Sequence, residues 1–207
     1  MLKTVLYVTA ILAVVLGGLR WVALRWWQVP IDDYEMGASI APSLRPGDWI
    51  ILWRLTPLSF GDLVMCPDPD NEGYSVIGRV AGESGDTIRI KGADVFVNKK
   101  KMGTESACNP PRFTVEEPAS GASIELNCSI ESMGGVKHMR LNTKKQSEFS
   151  LEVPAGRVFL LSDNRDMPFD SRHYGTLDKD ACKETVVFRI FGVEGLGDVE
   201  SRFTFIQ

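Results

Sequence analysis

Met36-Gly37-Ala38-Ser39-Ile40-Ala41-Pro42-Ser43-Leu44-Arg45-Pro46-Gly47-Asp48 is the stretch from which the rest of the chain can be ordered. It sets a serine two residues after a glycine and three before a proline, and it ends in Pro-Gly-Asp, a turn signal. Trp49 to Trp53 then runs apolar without alternation, the pattern of a strand buried on both faces. The stretch therefore reads as a loop that feeds a strand.

Toward the N-terminus, no residue from Thr4 to Leu19 is charged. As a helix this segment spans about 24 Å, and about 31 Å if it continues to Leu24 past Arg20, whose head can snorkel. Trp21, Trp26 and Trp27 stand where an interfacial aromatic belt is expected. Arg-Trp-Trp follows the apolar run in place of a small-residue cleavage site, so the segment reads as a retained anchor rather than a secretory signal. Lys3 on one side and Arg20 and Arg25 on the other leave orientation undecided by charge.

Toward the C-terminus the chain is a succession of short apolar runs separated by turn residues. Leu63 to Cys66 and Tyr74 to Ala81 read as strands. Thr87 to Lys91 and Val95 to Asn98 read as a hairpin about the turn Gly92-Ala93-Asp94. Val158 to Leu161 and Thr185 to Phe191 are later strands. Residues 99–150 are polar, contain Pro and Gly, and carry short alternating pieces, which fits an inserted small β region. Helical periodicity is almost absent after residue 30. The fold expected is mainly β, an antiparallel domain behind an N-terminal transmembrane helix. The expected divisions are an anchor over 1–27, core segments over 28–98 and 151–207, and an insertion over 99–150.

The 207 residues carry a formal net charge of −4 and no basic run, which argues against nucleic acid as a partner. The four cysteines form no Cys-x-x-Cys, and His138 and His173 are not spaced as a metal pair, so neither metal nor cofactor is expected. Cys108 and Cys128 bracket a loop-rich stretch that a disulfide would staple in an oxidising compartment; buried thiols are the alternative.

A second chemistry-bearing piece is Ser162-Asp163-Asn164-Arg165-Asp166-Met167-Pro168-Phe169-Asp170-Ser171-Arg172-His173-Tyr174-Gly175. Opposite charges at this density satisfy one another and brace a site. With Gly37-x-Ser39-x-x-Pro42, Gly61-Asp62-Leu63-Val64 and Arg79-Val80-x-Gly82-x-x-Gly85-Asp86, in this order behind an anchor, the chain resembles bacterial type I signal peptidases over residues 35–192.

The resemblance implies a membrane-anchored serine endopeptidase that removes signal peptides from exported proteins. It places the protein in the bacterial cytoplasmic membrane, single-pass, with its soluble domain on the outer, periplasmic or extracellular, face. Its partners would be a preprotein or extended peptide and membrane lipid. In that family a neutral, buried lysine takes the proton of the nucleophilic serine. By position Ser39 is that nucleophile and its own N–H an oxyanion donor. Asp163, Arg165, Asp170 and Arg172 form the supporting network. The lysine's position, however, holds Gly78, and no lysine lies between Lys3 and Lys91. Arg79 cannot deprotonate. His173 and Lys91 are the substitutes the sequence offers. Loss of a general base costs about 10²–10⁴-fold in rate. A catalytically degenerate relative that binds extended peptides or assists assembly of exported proteins is therefore the alternative. Related self-cleaving repressors fit less well, because the chain has an anchor and no DNA-binding helix pair.

Overall fold

A computed structural model of the chain describes residues 2–92, 94–143, 146–199 and 201–206. Ala93 of the expected turn, and Lys144 and Lys145 within the expected insertion, lie outside the described residues.

Helix α1, Leu2–Val22, is the only helix among the described residues long and apolar enough to cross a membrane. Its side chains from Lys3 to Val22 are exposed, Trp21 at 84%. The helix does not carry all three tryptophans. Strand β1, Leu24–Gln28, begins two residues after it and pairs along its whole length with β2, Trp49–Trp53. Trp26 and Trp27 therefore belong to a sheet, because five residues of ladder satisfy backbone groups that a helix end would leave open. The expected anchor boundary at residue 27 accordingly falls within the sheet. In β2 only Ile50 and Leu52 are buried, so this strand is covered on one face rather than two.

The segment read as a loop is a helix. α2, Tyr34–Ile40, is capped by Asp33, whose side chain accepts from the Met36 N–H at 2.9 Å. Seven residues do not hold a helix alone. Burial on two sides does. Met36 and Ile40 pack with Leu44, Ile50, Leu52 and Ile77. Ala38 and Ala41 face Leu126, Leu141 and the Cys108–Cys128 pair. Gly37 is required by the turn after it: a Cβ there would lie 2.6 Å from Pro46 Cγ.

Beyond α2 the chain runs through β3 (Leu63–Pro67), β4 (Ser75–Glu83), β5 (Thr87–Gly92), β6 (Asp94–Val97) and β7 (Lys100–Lys101). Next come β8 (Gly103–Glu116), β9 (Ser123–Met133), β10 (Val136–Leu141), β11 (Gln146–Glu152) and β12 (Arg157–Leu161). The short helix α3 (Ser171–Tyr174) precedes β13 (Leu177–Asp178), β14 (Glu184–Phe191) and β15 (Thr204–Phe205). The main antiparallel sheet is ordered β1-β2-β14-β3-β4-β12-β13, with β15 also on β14. A second sheet is β11-β5-β6-β7 and a third is β10-β9-β8. The excursion read as 99–150 is therefore narrower. β7 extends the β5–β6 hairpin and β11 pairs with β5, leaving β8 to β10 as the separate sheet.

Both disulfides cross-link elements that the topology already brings together. Cys108–Cys128 joins β8 to β9. Cys66–Cys182, which the sequence does not signal, ties β3 to the turn before β14 across 116 positions.

Candidate active site

Ser39 is the penultimate residue of α2, and its side chain is wholly buried. Its Oγ donates to the Met36 carbonyl at 2.9 Å. The helix is held from the far side by Asn164, whose N–H donates to the Ser39 carbonyl at 2.9 Å and whose Nδ2 donates to the Ala38 carbonyl at 2.8 Å. In a helix the N–H of residue i is aimed at the carbonyl of i−4, which for Ser39 is Glu35. The arrangement satisfies the serine within its own turn.

Four residues on, Ser43 Oγ donates to Asp163 Oδ2 at 2.5 Å. Asp163 also receives Arg79 in a two-pronged bond, Nε to Oδ1 at 2.7 Å and Nη2 to Oδ2 at 3.1 Å. The third Arg79 nitrogen, Nη1, donates to the Gly61 carbonyl at 3.1 Å. Neither charged side chain is exposed to solvent. Such a pair offsets its desolvation only when every donor is used, and here three guanidinium nitrogens find acceptors.

The four charges expected to form one network divide between two. Arg165 donates through Nε to the Ser162 carbonyl at 2.8 Å and pairs with Glu131 of β9. Arg140 of β10 meets the same carboxylate at 3.2 Å. His138 Nε2 lies 3.3 Å from Glu131 Oε2 and 3.7 Å from Asp163 Oδ1, close approaches without an aligned hydrogen bond. Asp170 stands apart. It caps α3, accepts from the Ser162 N–H at 2.8 Å, and pairs with Arg172 at 2.7 Å.

Burial opposes the charge on Glu131, but Arg165, His138 and Arg140 together outweigh it and hold the carboxyl at about 2. Burial pushes His138 down, assisted by Arg79 and resisted by Asp163 and Glu131, so the imidazole is neutral near pH 7. Asp170 is held below the usual carboxylate range: burial is the largest influence and raises it, and Arg172 with the backbone donors more than reverses it.

Sequence reasoning missed Ser43, Glu131 and His138. The two-residue Gly134-Gly135 turn carried the signal. Such a turn pairs Met133 with Val136, and hence Glu131 with His138, as the β9–β10 register shows.

Gly78 lies on β4 opposite Val64, and a Cβ built on it would lie 3.0 Å from Leu160 Cβ. No side chain reaches from this position toward Ser39. Lys91 is exposed on β5, in another sheet. His173 is exposed on α3 and lines a cavity of about 930 Å³ with Asp32, Tyr34, Tyr74 and Phe169. Ser39 does not line that cavity, and among the described residues its hydroxyl bonds only to the Met36 carbonyl. A second cavity, about 540 Å³, runs between α2 and β8 past Gly37, Ala38 and Ala41. Among the described residues no cluster of His, Cys, Asp and Glu is arranged to hold a metal ion.

Comparison with known proteins gives a family match over residues 2–191, described as signal peptidase, peptidase S26. Signal peptidase I of Streptococcus pneumoniae is 26% identical over 179 residues, covering 83% of this chain and 85% of that protein. Signal peptidase I V of Bacillus subtilis is 26% identical over 150 residues, covering 70% and 77%. Signal peptidase IB of Staphylococcus aureus is 27% identical over 160 residues, covering 75% and 74%.

Proposed function

Since the chain belongs to the signal peptidase family, peptidase S26, we propose that it is a membrane-anchored serine endopeptidase of signal peptidase I type that uses Ser39 and cleaves slowly. The observation that carries this reading is the framing of Ser39. Asn164 clamps the carbonyls of residues 38 and 39, and the Arg79–Asp163–Ser43 cluster braces the chain just beyond them.

The substrate would be the extended segment before the cleavage point of an exported preprotein. A strand edge is available to it. β12 pairs with β4 only from Arg79 onward, so the edge of Ser75–Gly78 on that side has no partner strand among the described residues. Small side chains would suit this edge, whose Ile77 packs with Ile40 in the buried apolar core.

Ser39 Oγ would attack the scissile carbonyl, releasing the mature chain and leaving an acyl-enzyme that water hydrolyses. The hydroxyl must first leave Met36 and become accessible. With glycine at position 78, its proton passes to solvent rather than to a lysine, which costs about 10²–10⁴-fold in rate. Two disulfides support placement of the domain in an oxidising space, the outer face of the bacterial cytoplasmic membrane.

A second reading is a non-catalytic relative that holds extended peptides. Two observations favour it: the glycine at the base position, and a serine wholly buried with its hydroxyl engaged. Cleavage of an Ala-x-Ala preprotein by full-length, detergent-solubilised protein separates the two. Slow cleavage abolished in Ser39→Ala and raised by about 10² or more in Gly78→Lys is expected. Equal cleavage by wild type and Ser39→Ala would end the assignment of Ser39. Peptide binding without cleavage in either would establish the binding reading.

A further inference from the structure

β8 is the outer strand of the third sheet, and among the described residues only β9 pairs with it. Its residues Arg112 to Glu116 all line the cavity beside α2. Successive side chains of a strand point to opposite faces, so five consecutive residues border one cavity only if the strand meets it edge-on.

The register identifies which backbone groups that edge presents. Asn127, opposite Arg112, donates its N–H to Thr143 Oγ1 and accepts from the Asn142 N–H, both away from β8. Arg112↔Asn127 is therefore a non-hydrogen-bonded pair of the antiparallel ladder. By alternation Arg112, Thr114 and Glu116 turn their N–H and C=O groups outward. Glu117 donating to Ala122 fits the same phase. Three residues' worth of donors and acceptors thus face a groove whose opposite wall is the helix carrying Ser39.

The groove adjoins the larger cavity, with Tyr34 lining both. There Asp32, Asp33, Glu35, Asp68 and Glu117 converge from three parts of the chain. None is in an ion pair among the described residues, and no lysine or arginine lines the cavity. Asp33 caps α2, Asp68 holds its own turn and Glu117 accepts from Ser120. Among the described residues Asp32 and Glu35 accept no side-chain hydrogen bond.

We propose that the edge Arg112–Glu116 of β8 is a second strand-pairing site for the extended substrate segment, and that the preferred segment places a lysine or arginine in the acidic cavity. The inserted sheet is then a wall of the substrate groove, and the acidic residues of the adjoining cavity set its charge preference. This rests on reading the Ser39 cleft as a peptide site.

The test uses full-length protein in detergent and a dye-labelled Ala-x-Ala peptide in two versions, one flanked by lysine and one by glutamine. Thr114→Pro removes an outward N–H and leaves the β9 ladder intact. It is expected to weaken binding on the order of tenfold with unchanged Tm. A photo-crosslinking residue at Glu116 is expected to capture the peptide, which keeps the test open if the proline variant misfolds. The lysine peptide should bind more tightly than the glutamine one, and Asp32→Asn with Glu35→Gln should erase that advantage. Wild-type binding that a folded Thr114→Pro does not alter, or no capture at Glu116, overturns the edge site and leaves the Ser39 reading standing. Equal binding of the two peptides overturns the charge preference. No binding by wild type overturns both this inference and the peptide-site reading.

Discussion

Asp163 is the residue on which most of the braced site turns, because among the described residues it is the only carboxylate in an ion pair with Arg79, and it accepts the Ser43 hydroxyl. Removing it leaves a guanidinium uncompensated with no solvent to turn to. Asp163→Ala is therefore expected to cost about 3–5 kcal/mol in urea unfolding of the full chain. Arg79→Leu with Asp163→Leu should recover part of that loss, since a buried pair replaced by apolar groups no longer has a desolvation cost. A double-variant loss equal to the sum of the two single-variant losses would show that the pair is not coupled. Gly78 gives the opposite case, a residue notable for what it does not supply. Lysine there meets Leu160 Cβ at the closest approach, so that neighbour must yield by a few tenths of an ångström before any gain in rate appears.

α2 shows how an element can form against its own local sequence. A glycine inside a helix is ordinarily weaker than alanine by about 1 kcal/mol, so Gly→Ala should stabilise. At Gly37 the sign reverses, because the new methyl would sit 2.6 Å from a carbon of the Pro46 ring, which cannot swing aside. Gly37→Ala is expected to destabilise by about 1–3 kcal/mol. A rise in Tm would refute the close packing of α2 on the turn that follows it. The same helix explains why the inserted sheet matters: Ala38 and Ala41 are small enough for Leu126 and Leu141 to cover them. The insertion is therefore part of the site's wall and not a peripheral excursion.

For the whole molecule, the buried charges tie stability to pH. Glu131 titrates at about 2 when folded against an ordinary value of 4.5, so it binds a proton more readily in the unfolded chain. The stability it contributes is present above about 4.5 and lost as pH falls toward 2. His138 is also depressed, from 6.5, so the unfolded chain takes up its proton first and stability declines as pH falls below 6.5. Both effects act in the same direction. Tm measured from pH 7 to pH 4 should fall, and His138→Gln should flatten the upper part of that decline. A His138→Gln profile parallel to wild type would remove the histidine from the account. The two disulfides bear on the same scale, since each cross-link restricts the unfolded chain whatever the pH.

The sequence by itself determined the apolar helix, the succession of short strands, the order of the family's blocks and the vacancy at position 78. These depend on runs and spacings that a linear chain displays. Only the tertiary structure decided that Tyr34 to Ile40 is helical, since seven residues with an internal glycine hold a helix only when both faces are buried. It also decided that Trp26 and Trp27 leave the helix for β1, and that Lys100, Lys101 and Gln146–Glu152 belong with the β5–β6 hairpin. The division of the expected charge network was likewise beyond the sequence. Asp163, Arg165, Asp170 and Arg172 lie close together in the chain, but Arg79 and Glu131 reach them from strands far along it. Partner choice among buried charges is set by distance in a medium that screens little, and those distances exist only once the sheets have packed.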